Sequence, residues 1–306
     1  MRTGYDACDR VPLLANIAGP GEVAAAVAAG AEGVGLFRTE FLFLGGGDRP
    51  PSEEEQAAAY REVLAAFPEG RVVVRVLDAG ADKPLPFLTP GDEPNPALGV
   101  RGLRALLAHP GVLDTQLGAR ARAAEGLPVS LAVMAPMVAD RADARAFADA
   151  CRAAGLHVPS GVMVEIPAAA LRARALLREA AFLSLGTNDL AQYAFAADRQ
   201  VGAVARYQDP WQPALLDLVA LAAEAAGAEG KGCGVCGEAA ADPLLACVLT
   251  GLGVTSLSMG AAAIPAVRAA LARHTLARCE RAAAAARATD DAEQARTAAH
   301  GILSDP

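Results

Sequence analysis

Phe182–Tyr193 reads FLSLGTNDLAQY, and upstream Gly161–Pro167 reads GVMVEIP. In the first stretch the apolar run Phe182–Leu185 stops at Gly186, and the polar triplet Thr187-Asn188-Asp189 follows at once. A parallel strand covered on both faces is a continuous apolar run, and this one ends as if it opened onto a pocket. In the second stretch Val162-Met163-Val164 runs into Glu165, and Pro167 stops the strand. Glu165 and Asp189 thus stand at the same end of two neighbouring strands, about 24 residues apart, which suits one strand–helix–strand unit. Two carboxylates with room between them for water and substrate oxygens suit Mg²⁺, or Mn²⁺ in its place. Either acid alone reads as the cap of the helix that follows it. The pair at matching strand ends points to metal.

Outward from that pair, further short apolar runs alternate with helical stretches. Strands are expected at Leu13–Ile17, Gly33–Phe37, Val72–Leu77, Leu131–Met134, Val162–Glu165, Phe182–Leu185, Gly232–Gly237 and Ser256–Met259. Helices are expected to about Ala31, from a Ser52/Glu55 capping box to Phe67, and over Val100–Ala108, Val112–Ala124, Asp140–Ala154 and Pro213–Ala226. An alanine-rich helix joins the fifth and sixth strands, and more helices run on to Ala299. Pro84–Pro96 holds five prolines and reads as a functional loop. Eight strands alternating with helices predict a (β/α)₈ barrel over 13–306, after a linker or frayed start at 1–12. Asn16, Arg38, Asp78, Glu165, Asn188, Asp189 and Glu238 all fall at or just past strand C-termini, the face where such barrels carry their sites. A doubly wound open sheet is the competing fold, and it does not need polar residues spread over so many strands.

Composition narrows the partners. The chain has 306 residues and 53% apolar content, much of it alanine, without the run of roughly 20 apolar residues that spans a membrane. A net charge of −8 without a basic block argues against nucleic acid. Six scattered cysteines and no signal peptide suit a reducing cytoplasm. Cys233 and Cys236 form a CxxC, but no second pair or histidine cluster completes a zinc site. Arg75 interrupts VVVRV inside a buried strand, so an acid or a bound anion is expected beside it.

The motifs form an ordered series: LFRTEFLF (Leu36–Phe43), SEEEQ, VVVRVLDAGADKPLP (Val72–Pro86), NPALGVRGLR (Asn95–Arg104), GVMVEIPAA, LSLGTNDLAQY, ADR (Ala197–Arg199), GVCGEAA (Gly234–Ala240) and LSMG. This series resembles the phosphoenolpyruvate (PEP)-binding barrel of enzyme I of the bacterial sugar phosphotransferase system, and is similar to pyruvate phosphate dikinase and PEP synthase. The resemblance runs from about Leu13 to Ala272. It implies a PEP-binding barrel of a phosphoenolpyruvate-protein phosphotransferase, which donates the phosphoryl group to a histidine and releases pyruvate. It further implies Arg38, Arg75 and Arg199 as PEP ligands, Asn188 as a phosphate contact and Arg101 at the pocket border. Glu165 and Asp189 carry over as Mg²⁺ ligands, and Cys236 as the thiol that exchanges a proton with C3 of the enolate. Bidentate arginine suits both the carboxylate and the phosphate of PEP. The implied partners are a phosphohistidine domain, the phosphocarrier protein and a second copy of the chain.

The departures are specific. Ala81 replaces the second glycine of the family's D-x-G-G-D-K turn, and Val201 stands near a usual Asn. A further PEP arginine upstream of the first strand has two candidates, Arg2 and Arg10. The G-x-T-S-H setting of the accepting histidine has no match, and His109, His157, His274 and His300 lie in unrelated contexts. Two other functions compete: a PEP-binding regulatory module without turnover, and a Mg²⁺-dependent lyase of small 2-oxo acids.

Overall fold

A computed structural model of the chain describes residues 11–44, 49–80, 85, 87, 88 and 93–304. Arg2, Arg10, the turn at Ala81–Lys83 and part of the proline-rich loop lie outside the described residues. Eight parallel strands form one closed barrel: β1 (Leu13–Ile17), β2 (Gly33–Phe37), β3 (Arg71–Arg75), β4 (Ser130–Ala135), β5 (Ser160–Val164), β6 (Phe182–Gly186), β7 (Gly232–Cys236) and β8 (Ser256–Met259). Each pairs with the next in sequence, and β8 returns to β1 with Leu13 opposite Leu257. A doubly wound sheet keeps two free edges; closure leaves none.

Side chains alternate along each strand, so the strands β2 to β7 serve two cores. Outward residues such as Val72, Val74, Val162, Val164, Leu183 and Leu185 join the large core beneath the helices. Inward residues Leu36, Val73, Ala132, Met134, Met163, Phe182 and Cys236 fill the barrel interior. The next inward position above Leu36, Val73 and Met163 is Arg38, Arg75 and Glu165 respectively. The same alternation that builds the inner core therefore lifts three charged side chains to its rim. Cys233 and Cys236 are three apart and fall into opposite cores, so they do not share a metal.

The helices are α1 (Val23–Ala28), α2 (Glu40–Leu44), α3 (Glu53–Ala65), α4 (Leu103–Ala108), α5 (Pro110–Ala124), α6 (Arg141–Ala153), α7 (Pro167–Leu171), α8 (Ala173–Leu176), α9 (Thr187–Phe195), α10 (Pro213–Ala228), α11 (Pro243–Gly251), α12 (Ile264–Leu271), α13 (Leu276–Arg287) and α14 (Ala292–Leu303). Ser52 and Glu55 close both bonds of the expected capping box at α3. Asp140 and Asp242 cap α6 and α11 in the same manner of side chain to amide.

Two elements differ from expectation. The single helix foreseen between β5 and β6 is broken at Arg172, and each half buries its own small residues: Ala169 and Ala170 in α7, Ala173 and Leu176 in α8. The Thr187-Asn188-Asp189 triplet is the first turn of α9, so Asp189 lies within that helix and does not cap it. Polar side chains suit that position, because the first-turn amides lack intrahelical acceptors. Asp189 thus stands just beyond the strand end, on a helix. After the barrel closes, α13 packs on α11 so tightly that a Cβ at Gly251 would lie 2.2 Å from the Cys279 carbonyl oxygen. No helix of the described residues is long and apolar enough to cross a membrane.

Candidate active site

A cavity of about 470 Å³ opens at the C-terminal ends of the strands. Arg38, Arg75, Arg101, Glu165, Asn188, Asp189, Arg199 and Cys236 all line it, together with Asn16, Asp78 and Glu238. Residues spread over some two hundred positions of sequence meet there because they end or follow the barrel strands β1, β2, β3, β5, β6 and β7.

Arg75 is buried on the cavity floor and answers its burial with acids. Its Nη2 donates to Glu40 Oε1 at 3.0 Å, and its Nη1 lies 3.3 Å from Asp78 Oδ2 and 3.9 Å from Glu165 Oε1. Burial works against its charge, but Glu40, Asp78 and Glu165 together outweigh that and raise its pKa. Arg101 forms a second fork. Its Nε and Nη2 donate to the two oxygens of Asp78 at 3.4 and 3.0 Å, and its Nη1 donates to Asp189 Oδ1 and the Tyr193 hydroxyl, each at 3.2 Å. Tyr193 in turn donates to the Ala97 carbonyl, tying the loop before α4 to α9. Arg199, a third exposed, reaches Asp189 Oδ2 at 3.5 Å.

Glu165 sits one residue past β5 and is almost wholly buried. Its Oε2 accepts from the Met137 amide at 2.8 Å. Met137 takes φ +57°, an unusual conformation for a side chain of its size, and this turn is what aims its amide at the carboxylate. On the neighbouring strand β6, Gly186 leaves room for the acid: a Cβ there would stand 2.7 Å from Glu165 Cγ. Burial, followed by repulsion from Asp189 and Asp78, pushes the Glu165 pKa well above the carboxylate range. Carboxylate oxygens of Glu165 and Asp189 both line this part of the cavity. That donor set fits Mg²⁺ or Mn²⁺. Among the described residues no group of three or more His, Cys, Asp or Glu forms a cage by itself. A divalent ion would need ligand oxygens or water to complete its shell.

Arg38 differs from the other three arginines. Its backbone is tied to Ile17 and its guanidinium lies 5.8 Å from the Phe41 ring, yet its Nε is buried without a hydrogen-bond partner. No ion pair with an acid forms at Arg38 among the described residues. Asn188, in the first turn of α9, keeps its amide at the cavity beside Gly237. Cys236 ends β7; its Sγ accepts from Ser184 Oγ at 3.4 Å and donates to the Leu185 carbonyl at 3.5 Å. Burial above all pushes this thiol up to about 11, so it stays protonated at neutral pH.

Residues 3–276 match the family described as PEP-utilising enzyme, PEP-binding domain. The chain belongs to that family. It is 80% identical over 295 residues to a phosphoenolpyruvate-protein phosphotransferase of Streptomyces coelicolor, covering 96% of this chain and 53% of that protein. The protein of the same description in Haloferax volcanii is 45% identical over 278 residues, 86% of this chain and 48% of its own length. A multiphosphoryl transfer protein of Rhodobacter capsulatus is 43% identical over 271 residues, 87% of this chain and 32% of the relative. The chain spans about half the length of the curated phosphotransferases it matches.

The structure of this PEP-binding domain adds residues that sequence reasoning did not select. Asp78 was visible only as one polar residue at a strand end, yet it joins the Arg75 and Arg101 forks. Glu40, two residues past Arg38, is buried, pairs with Arg75 and accepts from the Asp78 amide at 2.9 Å. The spacing of Asp189 and Tyr193, four apart on one helix face, was the available signal for Tyr193. No comparable signal marks Glu40, because its partner arrives from another strand.

Proposed function

We propose that this domain is the phosphoryl-donor site of a phosphoenolpyruvate-protein phosphotransferase. PEP binds at the barrel mouth and its phosphoryl group passes to a histidine carried on another domain. The observation that supports this reading most is the convergence of four arginines and two adjoining carboxylates on one cavity, with Arg38 holding no acid of its own. A small ligand with both a carboxylate and a phosphate answers that array; a neutral substrate does not.

In this reading Arg38, Arg75 and Arg199 take the oxygens of PEP, Asn188 contacts the phosphate, and Arg101 orients Asp189 from the pocket wall. Glu165 and Asp189 would hold Mg²⁺, or Mn²⁺ in its place. Such an ion supplies positive charge to the phosphate and enolate oxygens. A histidine nitrogen forms its bond to phosphorus as the bond from phosphorus to the enol oxygen breaks. The arginines spread the charge of the moving group. The enolate left behind takes a proton at C3 and becomes pyruvate. In this reading Cys236, protonated and buried at the cavity wall, is that donor.

The partners follow from the same reading: a phosphohistidine domain, a phosphocarrier protein, as the name of the multiphosphoryl relative suggests, and a second copy of the chain. Five buried free thiols among the described residues suit a cytoplasmic setting. The decisive experiment is calorimetric titration of PEP with and without Mg²⁺, on the wild type and on Arg38→Ala. Metal-dependent binding that the variant loses supports the reading. Equal binding by both proteins, or none by the wild type, overturns it.

A further inference from the structure

Arg120 lies outside the cavity, on α5, yet it is fully buried. Its Nη2 donates to the main-chain carbonyl of Arg75 at 3.0 Å, and its guanidinium lies 4.9 Å from the Tyr60 ring. No carboxylate hydrogen-bonds it among the described residues, and its Nε and Nη1 are buried without partners. Burial lowers its pKa, and Tyr60, then Cys151 and Glu40, work against that without reversing it. A fully buried cation with so little compensation is a poor choice for packing alone, since an apolar residue of similar volume fills such a space at no loss of stability.

What Arg120 touches explains its presence. The Arg75 carbonyl lies where β3 leaves the sheet, and it accepts from Arg120 and from Thr39 Oγ1 at 3.2 Å. The amides that follow are held in the same way: Leu77 donates to Gln116 Oε1 at 3.1 Å, and Asp78 to Glu40 Oε1 at 2.9 Å. Gln116 and Arg120 are one helical turn apart, on one face of α5. Side chains from outside the barrel thus fix the segment that carries Arg75 and Asp78. Of these, Arg120 alone brings positive charge. We infer that Arg120 is a positioning residue for the site: it clamps the Arg75 peptide, so that the Arg75 guanidinium is presented to an anionic ligand in one orientation.

The inference rests on the PEP-binding reading for its affinity test and needs a readout that does not. Three proteins are compared: wild type, Arg120→Met and Arg120→Lys. For each, melting temperature and the NMR-detected exchange of the Arg75 Nε–H are measured without ligand, and PEP affinity is measured with Mg²⁺. Arg120→Met is expected to melt at or above the wild-type temperature, to exchange the Arg75 proton at least tenfold faster, and to bind PEP at least tenfold more weakly. Arg120→Lys, which keeps the charge and one donor, should recover part of both losses. Wild-type exchange and affinity in Arg120→Met would overturn the inference. So would a variant that fails to fold, or one whose lost affinity tracks an equal loss of melting temperature without rescue by lysine; Arg120 would then be structural. A wild type that binds no PEP would sink the functional reading instead, and the exchange rates would still decide the role of Arg120.

Discussion

At the scale of single residues, the site is a set of buried charges that hold one another in place. Arg75 answers three carboxylates and Asp78 answers two arginines, so no member can be removed without leaving a partner exposed to a low dielectric. Arg75→Met keeps most of the packing volume and is expected to weaken PEP binding by about 2–5 kcal/mol, the range for truncating one partner of a buried charge pair. Calorimetry checks it; wild-type affinity would show that Arg75 serves the fold and not the ligand. Gly186→Ala asks a finer question. The added methyl meets Glu165 Cγ at 2.7 Å, Oε1 at 2.8 Å and Met163 Cε at 3.1 Å, so the carboxylate must shift even where the methionine end gives way. Metal-dependent PEP binding should fall at least tenfold while circular dichroism stays unchanged, and retained binding would mean Glu165 is not a ligand of the metal.

Among the elements, most of the local work is done by short signals that the structure keeps. The α3 cap is a clean case, with Ser52 Oγ accepting from the Glu55 amide and Glu55 accepting from the Ser52 amide. Ser52→Ala should destabilise the protein by about 1 kcal/mol, read from denaturant unfolding. The Ser52 amide first, then Arg49, lowers the Glu55 pKa from 4.5 to about 2. Its folded value is depressed, so its contribution is complete above about pH 4.5 and disappears as pH falls through about 2. The stability gap between wild type and Glu55→Ala should therefore narrow on acidification across that window. A gap that widens toward pH 2 would contradict the cap geometry. In contrast, α9 owes its start to tertiary burial: Asp189, Leu190, Ala191 and Gln192 are all packed inward, and a Thr-Asn-Asp run on its own reads equally well as a turn.

For the whole molecule, the question is whether donor and acceptor meet on one chain. Among the described residues no histidine lines the cavity, and His109, His274 and His300 border other clefts. Positioning an acceptor in line with the leaving group supplies roughly 7–11 kcal/mol of barrier reduction, and that contribution is missing without a histidine at the mouth. This chain by itself should bind PEP yet release pyruvate no faster than its Arg38→Ala variant. Adding a separately made phosphohistidine domain should raise pyruvate release, limited by the docking of two unlinked pieces. Cys236→Ser should then slow pyruvate formation more than it weakens PEP binding. Rapid pyruvate release by the chain alone, with phosphate on one of its own histidines, would make the barrel a complete catalyst.

Sequence by itself determined the eight strands, since a run such as Val162–Val164 or Val72–Val74 is apolar at every position only where both faces are covered. It also determined which charges reach the barrel rim, because strand alternation places Arg38, Arg75 and Glu165 two residues beyond inward Leu36, Val73 and Met163. Tertiary structure decided how those charges are paired. Glu40, Asp78, Gln116 and Arg120 act on Arg75 or on the backbone beside it, across separations in sequence that no period encodes. Local periodicity reports which face of an element is buried. Only closure of the barrel brings residues from different strands to the end of β3 and sets which acid stands beside which arginine.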